Sequence, residues 1–225
     1  MGGQAPSLFQ QAYEAHYVAE RPGWWPGQVE VIRTLKRAKP DIWQLTVSAS
    51  DWLYARQEWS RFNWSQFRPR AMTYHYRRDT LLTHRMLDAV FDWPAGRLEI
   101  DVLGERWYQP LREGSQDVLT CQLWIRLQVA SGNSSPSCFV TDGGPLQSLT
   151  ALSLGQRTVH WEGTPRNARG FRLSMGRRRV LDVWLVPSLN YMPVDMRYDY
   201  GNRDILHMRL KHLSPRSDND APKVH

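Results

Sequence analysis

The residues best suited to metal binding or proton transfer are widely spaced along this chain. Its seven histidines form no pair with the spacing of a metal site, and His207 and His212 fall on opposite faces of one predicted strand. Glu99 and Asp101 share a face of another strand, where two carboxylates could act as acid and base. Arg97 beside them is more typical of a solvated surface. We therefore predict no metal ion and no catalytic residue.

Motifs for covalent or nucleotide chemistry are also missing from the sequence. It contains no strained serine elbow, no phosphate-binding loop and no dinucleotide fingerprint, and the glycines of residues 142–145 suit a turn. We expect no cofactor, and the sequence favours a protein that is not an enzyme. The second hypothesis is a cofactor-free enzyme acting on a small aromatic or acyl substrate, because a cavity can catalyse a reaction through its shape.

Aromatic side chains interleaved with arginines are the strongest indication of a binding site. The chain contains 11 Trp in 225 residues, several-fold above the usual frequency of about one in a hundred. An aromatic ring beside a guanidinium suits an acyl chain with an anionic head group, or an acidic sugar. The predicted ligand-binding residues are Trp59, Arg61, Tyr74, Tyr76, Arg77, Trp93, Asp117 and Trp124. Core packing is the alternative for the rings, and stabilisation of a helix start is the alternative for Asp117.

Alternation of apolar and polar residues predicts that strands make up most of the fold. Residues 84–93, for example, place Leu87, Ala89 and Phe91 on one face. The stretch "VWLVPSLNYMPVDMRY", residues 183–198, reads as two such strands joined by a proline-bounded turn. These patterns are typical of a half-buried antiparallel sheet.

One segment departs from the alternation and predicts a helix. Residues 116–130 are apolar on nearly all sides, and Arg126 is their only full charge after Asp117. A helix of this kind is buried against other elements. We place Ser115 at its N-cap and Asp117 in its first turn, where a carboxylate offsets the positive helix end.

Four segments, in this order, resemble a bacterial and mostly exported family catalogued as domain of unknown function 3108. They are "EWSRFNWSQFRPRAMTYHYRR", "FDWPAGR", "LREGSQDVLTCQLWIRL" and "VWLVPSLNYMPVDMRY". The resemblance spans Tyr13 to Leu213. It implies a mainly β fold, with a single curved antiparallel sheet that forms a half-barrel around the helix, similar to periplasmic lipoprotein carriers. It also implies a periplasmic location in Gram-negative bacteria, and no established activity.

The chain is expected to form one β-rich domain over residues 1–213, followed by a disordered tail at 214–225 that is polar and lacks aromatics. We predict no transmembrane segment, because no run of roughly 18 apolar residues occurs. The sequence shows no signal peptide, so a cytoplasmic protein is the alternative to a periplasmic one. Cys121 and Cys138 could form a disulfide or remain two thiols.

The charge of the chain narrows the choice of partner. A net charge of +7 and a pI near 9.7 favour anionic partners. We expect no nucleic acid, because the longest basic run is Arg177–Arg179 and no recognition motif accompanies it. The leading hypothesis is a non-enzymatic envelope protein that binds a lipid, acyl or glycolipid ligand in a concave aromatic cavity, with arginine only at the rim. A scaffold that binds another envelope protein is a further alternative.

Overall fold

In the part of the chain that the structure describes, the fold consists of fifteen strands and one α-helix. The computed structural model describes residues 9–20, 27–50, 54–175, 179–199, 201 and 205–216. The helix, α1, spans Val118–Ala130. The strands are β1 (Tyr13–Glu20), β2 (Gln28–Lys39), β3 (Ile42–Ser50), β4 (Tyr54–Ser65), β5 (Arg68–Thr80), β6 (His84–Asp92), β7 (Arg97–Val102), β8 (Glu105–Pro110), β9 (Ser115–Asp117), β10 (Ser137–Thr141), β11 (Gln147–Trp161), β12 (Thr164–Met175), β13 (Arg179–Val186), β14 (Met192–Asp199) and β15 (Ile205–Pro215).

All fifteen strands belong to one curved sheet that does not close. Their order is β8-β7-β6-β5-β4-β3-β2-β1-β15-β14-β13-β12-β11-β10-β9. Neighbours are antiparallel, except that β9 and β10 pair in parallel. The pairing of β1 with β15 joins the two ends of the chain at the middle of the sheet. The structure thus confirms a mainly β fold with one large curved sheet and a single helix.

Side-chain alternation explains how the sheet buries its concave face. Strand β1 alternates strictly between buried and half-buried residues, as a strand with one face on the core must do. In the hairpin of β13 and β14, Val183, Leu185, Val194 and Met196 are buried. These four residues form the inward face of the hairpin.

The helix lies inside the curve of the sheet, and no residue of α1 is exposed. Its N-cap is Asp117 rather than Ser115, which corrects the prediction. Asp117 has extended backbone geometry, and its side chain accepts hydrogen bonds from the backbone N–H groups of Leu119 and Thr120. Ser115 belongs to β9, where its hydroxyl accepts a bond from the N–H of Arg112.

Two further attachments hold α1 in place. Near its start, Cys121 forms a disulfide with Cys138 of β10, with the two sulfurs 2.02 Å apart. In its second half, Arg126 donates to the carbonyl oxygens of Tyr191 at 3.0 Å and Asn190 at 3.2 Å. These carbonyls belong to the turn between β13 and β14, so the segment 183–198 anchors the helix.

The chain ends of the described structure bear on the predicted domain boundary. Strand β15 continues to Pro215, and its last residues pair with β1. Ser214 and Pro215 thus belong to the sheet, although they were assigned to the tail. Residues 217–225 lie outside the described residues. In the ranges described, no helix has the length and apolar character needed to cross a membrane.

Candidate ligand-binding site

A cavity of about 300 Å³ lies between α1 and the concave face of the sheet. Inward-facing residues of β1–β5, β14 and β15 form its wall, together with Leu119 and Gln122 of α1. Ala19 and Ala49 lie in this wall, and their small side chains leave space that larger residues would fill. The volume is at the lower end of the range of roughly 300–1,000 Å³ found for small-molecule sites.

The wall changes from apolar to polar along β2. Val29, Val31 and Arg33 face the cavity at alternate positions, so Arg33 lies about 13 Å along the strand from Val29. Val29 is near the end of the strand, whereas Arg33 is in its middle, paired with Ala15 of β1. On β1–β3 the wall is therefore apolar toward the strand ends and charged at the inner end, whereas on β4 Arg56 lies beside Ala49 in the outer part.

Arg33 is a buried cation with few partners. The residue is 5% exposed, and its Nη1 donates to Oε1 of Gln122 at 2.9 Å. Its Nε and Nη2 atoms are enclosed, and no described acceptor lies at hydrogen-bond distance from them. Burial of a charge without compensating bonds is costly, so Arg33 contrasts with the expectation of arginine only at the rim.

Tyr13 shows how positive this inner region is. Its hydroxyl accepts a hydrogen bond from Nη1 of Arg126 at 3.4 Å. Burial alone would raise the pKa of Tyr13, but the charges of Arg33 and Arg126 outweigh it and lower the pKa below its ordinary value. The interior beside α1 therefore favours negative charge.

The wall also contains Glu58, the one carboxylate among its described residues. Its two oxygens accept hydrogen bonds from Arg56 at 2.5 Å and from the Tyr74 hydroxyl at 2.7 Å. Burial and the neighbouring Glu58 carboxylate raise the pKa of Tyr74 well above its usual value, which keeps this hydroxyl a neutral donor. The charge of Glu58 is thus balanced within its own cluster, and Arg33 is outside that cluster.

Asp117 lies behind the wall, at the start of α1. The residue has no exposed surface, and its carboxylate also accepts a bond from the hydroxyl of Ser60 at 2.6 Å. Burial raises the pKa of Asp117 to about 6, although the bonds from Ser60, Thr120 and Leu119 oppose this shift. Every hydrogen bond to the Asp117 carboxylate that the structure describes stabilises the helix start or ties it to β4.

Three of the predicted binding residues lie on the outer face of the sheet. Trp59 stacks on His75, with 5.4 Å between the ring centres. The Arg61 guanidinium lies 5.1 Å from the centre of the Trp59 ring, and Arg77 is exposed on the next strand. Because strand residues alternate between faces, a ligand in the cavity would not contact these side chains.

The other rings pack against arginines around the cavity without lining it. Tyr76 is on the inner face, where the Arg56 guanidinium is 5.5 Å from its ring centre. The Arg68 guanidinium lies 4.5 Å from the centre of the Trp124 ring. Trp93 lies beyond β6, at the end of the sheet away from the cavity. Of the predicted residues, only Tyr74 and Tyr76 contact charged residues of the wall, and their part in binding stays a prediction.

Sequence reasoning missed Arg33 and Gln122. For Arg33 a signal was present, because Arg33 is in phase with Val31 and Leu35 on the apolar face of β2. An arginine at such a position is buried by the strand period itself. No comparable signal marks Gln122, since a helix that is apolar on all sides gives no direction to its polar residues.

The histidines do not assemble into a metal site in the described part of the chain. No group of three His, Cys, Asp or Glu side chains there could hold a metal ion. His75 and His84 do not pair with each other: their rings bond to Asp88 and Asp79, respectively. These pairs lie on the outer face or at a hairpin end.

The fold is similar to the crystal structure of a beta-barrel-like protein of domain of unknown function DUF1849 from Brucella abortus. The TM-score is 0.63 at 9% sequence identity, and the match covers 92% of this chain and 98% of that chain. At this identity the likeness shows the fold alone. No protein-family model matches the sequence, and no curated protein matches it either. Membership of the domain of unknown function 3108 family stays a prediction, and a β-barrel-like fold is what the chain shares with its structural neighbour.

Proposed function

We propose that the protein binds a small amphiphilic ligand, such as a lipid, an acyl compound or a glycolipid, in the cavity beside α1. The cavity itself carries this proposal, since it combines about 300 Å³ of space with an apolar surface along β1–β3 and a few polar groups, chiefly Arg33 on β2 and the Arg56–Glu58 pair on β4. This combination is typical of small-molecule sites. The five aromatic residues predicted to bind the ligand do not fill this space, since none of them lines it.

The same cavity gives less support to the two alternatives, a cofactor-free enzyme and a scaffold for another envelope protein. An enzyme would have to present a carboxylate or an imidazole to its substrate, and Glu58 in the wall is already engaged by Arg56 and Tyr74. A scaffold that binds another envelope protein would use an exposed apolar patch on its surface and would not need a cavity. Binding of a small ligand therefore has the better support.

We also propose a periplasmic location. The disulfide between Cys121 and Cys138 supports it, because disulfides persist in oxidising compartments such as the periplasm and are rare in the cytosol. An amphiphilic ligand would suit the envelope, where lipids and their derivatives are abundant.

Fluorescence of the uncharged probe N-phenyl-1-naphthylamine tests the proposed binding. We expect saturable enhancement with the purified wild-type protein. Ala49→Trp places a large ring in the cavity and should reduce probe affinity at least about tenfold. Ala55→Trp, on the exposed outer face of β4, is the matched control and should bind like the wild type. Equal binding by both variants, or no binding by the wild type, would contradict the proposal.

A further inference from the structure

The buried charge of Arg33 indicates which chemical class of ligand the cavity takes. We infer that the ligand is an anionic amphiphile whose carboxylate binds Arg33 at the inner end, while its apolar part occupies the outer cavity. This inference rests on the proposed ligand binding and adds the nature of the head group and its orientation. The head group would thus enter first, and the tail would lie toward the strand ends.

The hydrogen bonds of Arg33 leave one edge of its guanidinium for a ligand. Nη1 donates a hydrogen bond to Gln122, whereas Nε and Nη2 have no hydrogen-bond partner among the described residues. The N–H groups of Nε and Nη2 point in parallel from the same edge of the planar group. Two parallel N–H donors match the two oxygens of a carboxylate, which makes this the favourable geometry for a bidentate ion pair.

No carboxylate forms an ion pair with Arg33 among the described residues: Glu58 lies level with it two strands away on the same wall, but is held by Arg56 and Tyr74. The nearest titratable groups that act on it are the phenols of Tyr13, Tyr17 and Tyr198. Tyr17 donates its hydroxyl proton to the carbonyl oxygen of Pro193, so it is neutral. The second buried arginine, Arg126, adds positive charge to the same region. A ligand carboxylate would therefore supply the anion that the protein does not.

The rest of the cavity suits the tail of such a ligand. Between Arg33 and the strand ends, the wall contains Val29, Val31, Ala19 and Ala49 on three neighbouring strands. Leu206 of β15 continues this surface on the other side. Burial of a hydrocarbon chain there is favourable by roughly 25 cal/mol per Å² of apolar surface removed from water. Head group and tail thus have separate places along one axis.

Three ligands that share a ten-carbon chain and differ in the head group test the inference. Decanoate, decanol and decyltrimethylammonium are titrated by calorimetry, and as competitors of N-phenyl-1-naphthylamine, at neutral pH. We expect the wild type to bind decanoate at least about tenfold more tightly than decanol, and decyltrimethylammonium more weakly than either. Arg33→Met should bring the decanoate affinity to that of decanol. Arg33→Lys should keep part of the preference, because its ammonium retains the charge without the paired donors.

Controls separate this inference from the proposal on which it rests. Arg61→Met removes an arginine from the outer face and should preserve the decanoate preference. Decanol and the uncharged probe should bind Arg33→Met about as well as the wild type, which shows that the cavity is intact. Equal wild-type affinity for decanoate and decanol, or a preference that persists in Arg33→Met, would overturn the inference and leave the proposed binding standing. Failure of all three ligands and of the probe to bind would overturn both.

Discussion

The two buried arginines of the interior, Arg33 and Arg126, differ in how their donors are used. Arg126 is 4% exposed and Arg33 is 5% exposed, so burial does not separate them. Arg126 donates through Nε, Nη1 and Nη2 to two carbonyl oxygens and a phenol. Arg33 donates to Gln122 and interacts with the Tyr13 phenol, but its Nε and Nη2 have no hydrogen-bond partner among the described residues.

The difference follows from what each arginine faces. Arg126 lies against the turn after β13, where Asn190 and Tyr191 adopt left-handed backbone geometry with φ of 52° and 55°. Their carbonyl oxygens accept from its guanidinium, so the turn and the side chain satisfy each other. Arg33 lies in the wall of the cavity of about 300 Å³; Arg126 also borders a cavity, of about 280 Å³, but its three nitrogens are bonded to the turn and to Tyr13. One arginine thus holds the helix in place, and the other is available to a ligand.

The largest effect should come from Arg126→Met. The substitution removes the charged donor of three hydrogen bonds and leaves the carbonyl oxygens of the half-buried residues Asn190 and Tyr191 without it. We expect the free energy of unfolding to fall by about 3 to 5 kcal/mol, measured by urea denaturation followed by tryptophan fluorescence. The helix should also become more accessible to hydrogen exchange in its second half.

Arg172→Met is the matched control for this loss. Arg172 is paired with Asp182 on the outer face, and its side chain is 47% exposed. Exposed ion pairs contribute little to stability, so the control should unfold close to the wild type. A loss in Arg126→Met no larger than in Arg172→Met would mean that the turn does not anchor the helix, and the contrast between the two buried arginines would disappear.

A second test uses Asp117, the buried carboxylate behind the wall of the cavity. Its folded pKa of about 6 lies above the ordinary value of 3.8, so the folded protein holds this proton more tightly than the unfolded chain does. The contribution to stability is fully present below pH 3.8 and is lost as the pH rises through about 6. The loss is about 3 kcal/mol for a shift of this size.

Asp117→Asn should remove this dependence while it keeps the helix cap, because Asn is as good an N-cap as Asp. The measurement is the free energy of unfolding of both proteins from pH 4 to pH 7. We expect the wild type to lose about 2.4 kcal/mol relative to the variant across this range, because part of the loss has already occurred at pH 4. Parallel curves for the two proteins would show that the charge of Asp117 is not penalised in the fold.

Much of the fold could be predicted from the sequence, because the local period of apolar residues indicates where strands and the helix form. In strands with one buried face, buried and half-buried residues alternate strictly, as they do in β1. The burial of α1 could be predicted because its sequence is apolar on all sides. The bulge in β5 could not be predicted. It lies where Arg61 pairs with Thr73 and Phe62 pairs with Ala71, so that Met72 is an extra residue. Such a shift is decided by packing between strands and leaves no mark on the period of two.

The candidate site was less predictable, because composition shows which residues are abundant and not where they face. Aromatic rings do contact arginines in the structure, as Trp59 contacts Arg61. Such stacks stabilise the outer face of the sheet as readily as the inner face, so they do not show where a ligand binds. Tyr74 was found because it is in phase with the core. Arg33 is not next to an aromatic residue in the sequence, and the signal that marks it is its position in phase with the apolar residues of β2.

The smallest expected change in stability, Arg33→Met, is also the most direct test of the comparison. The variant replaces a buried and poorly paired charge with an apolar side chain, which in other proteins is neutral or stabilising. Gln122 loses one donor but also interacts with Tyr198, so it stays engaged. We expect the free energy of unfolding to remain unchanged or to rise by about 1 kcal/mol, measured by urea denaturation beside Arg126→Met. A loss as large as that of Arg126→Met would show that Arg33 stabilises the ligand-free fold, and the distinction between an arginine that holds the helix and one that serves a ligand would fail.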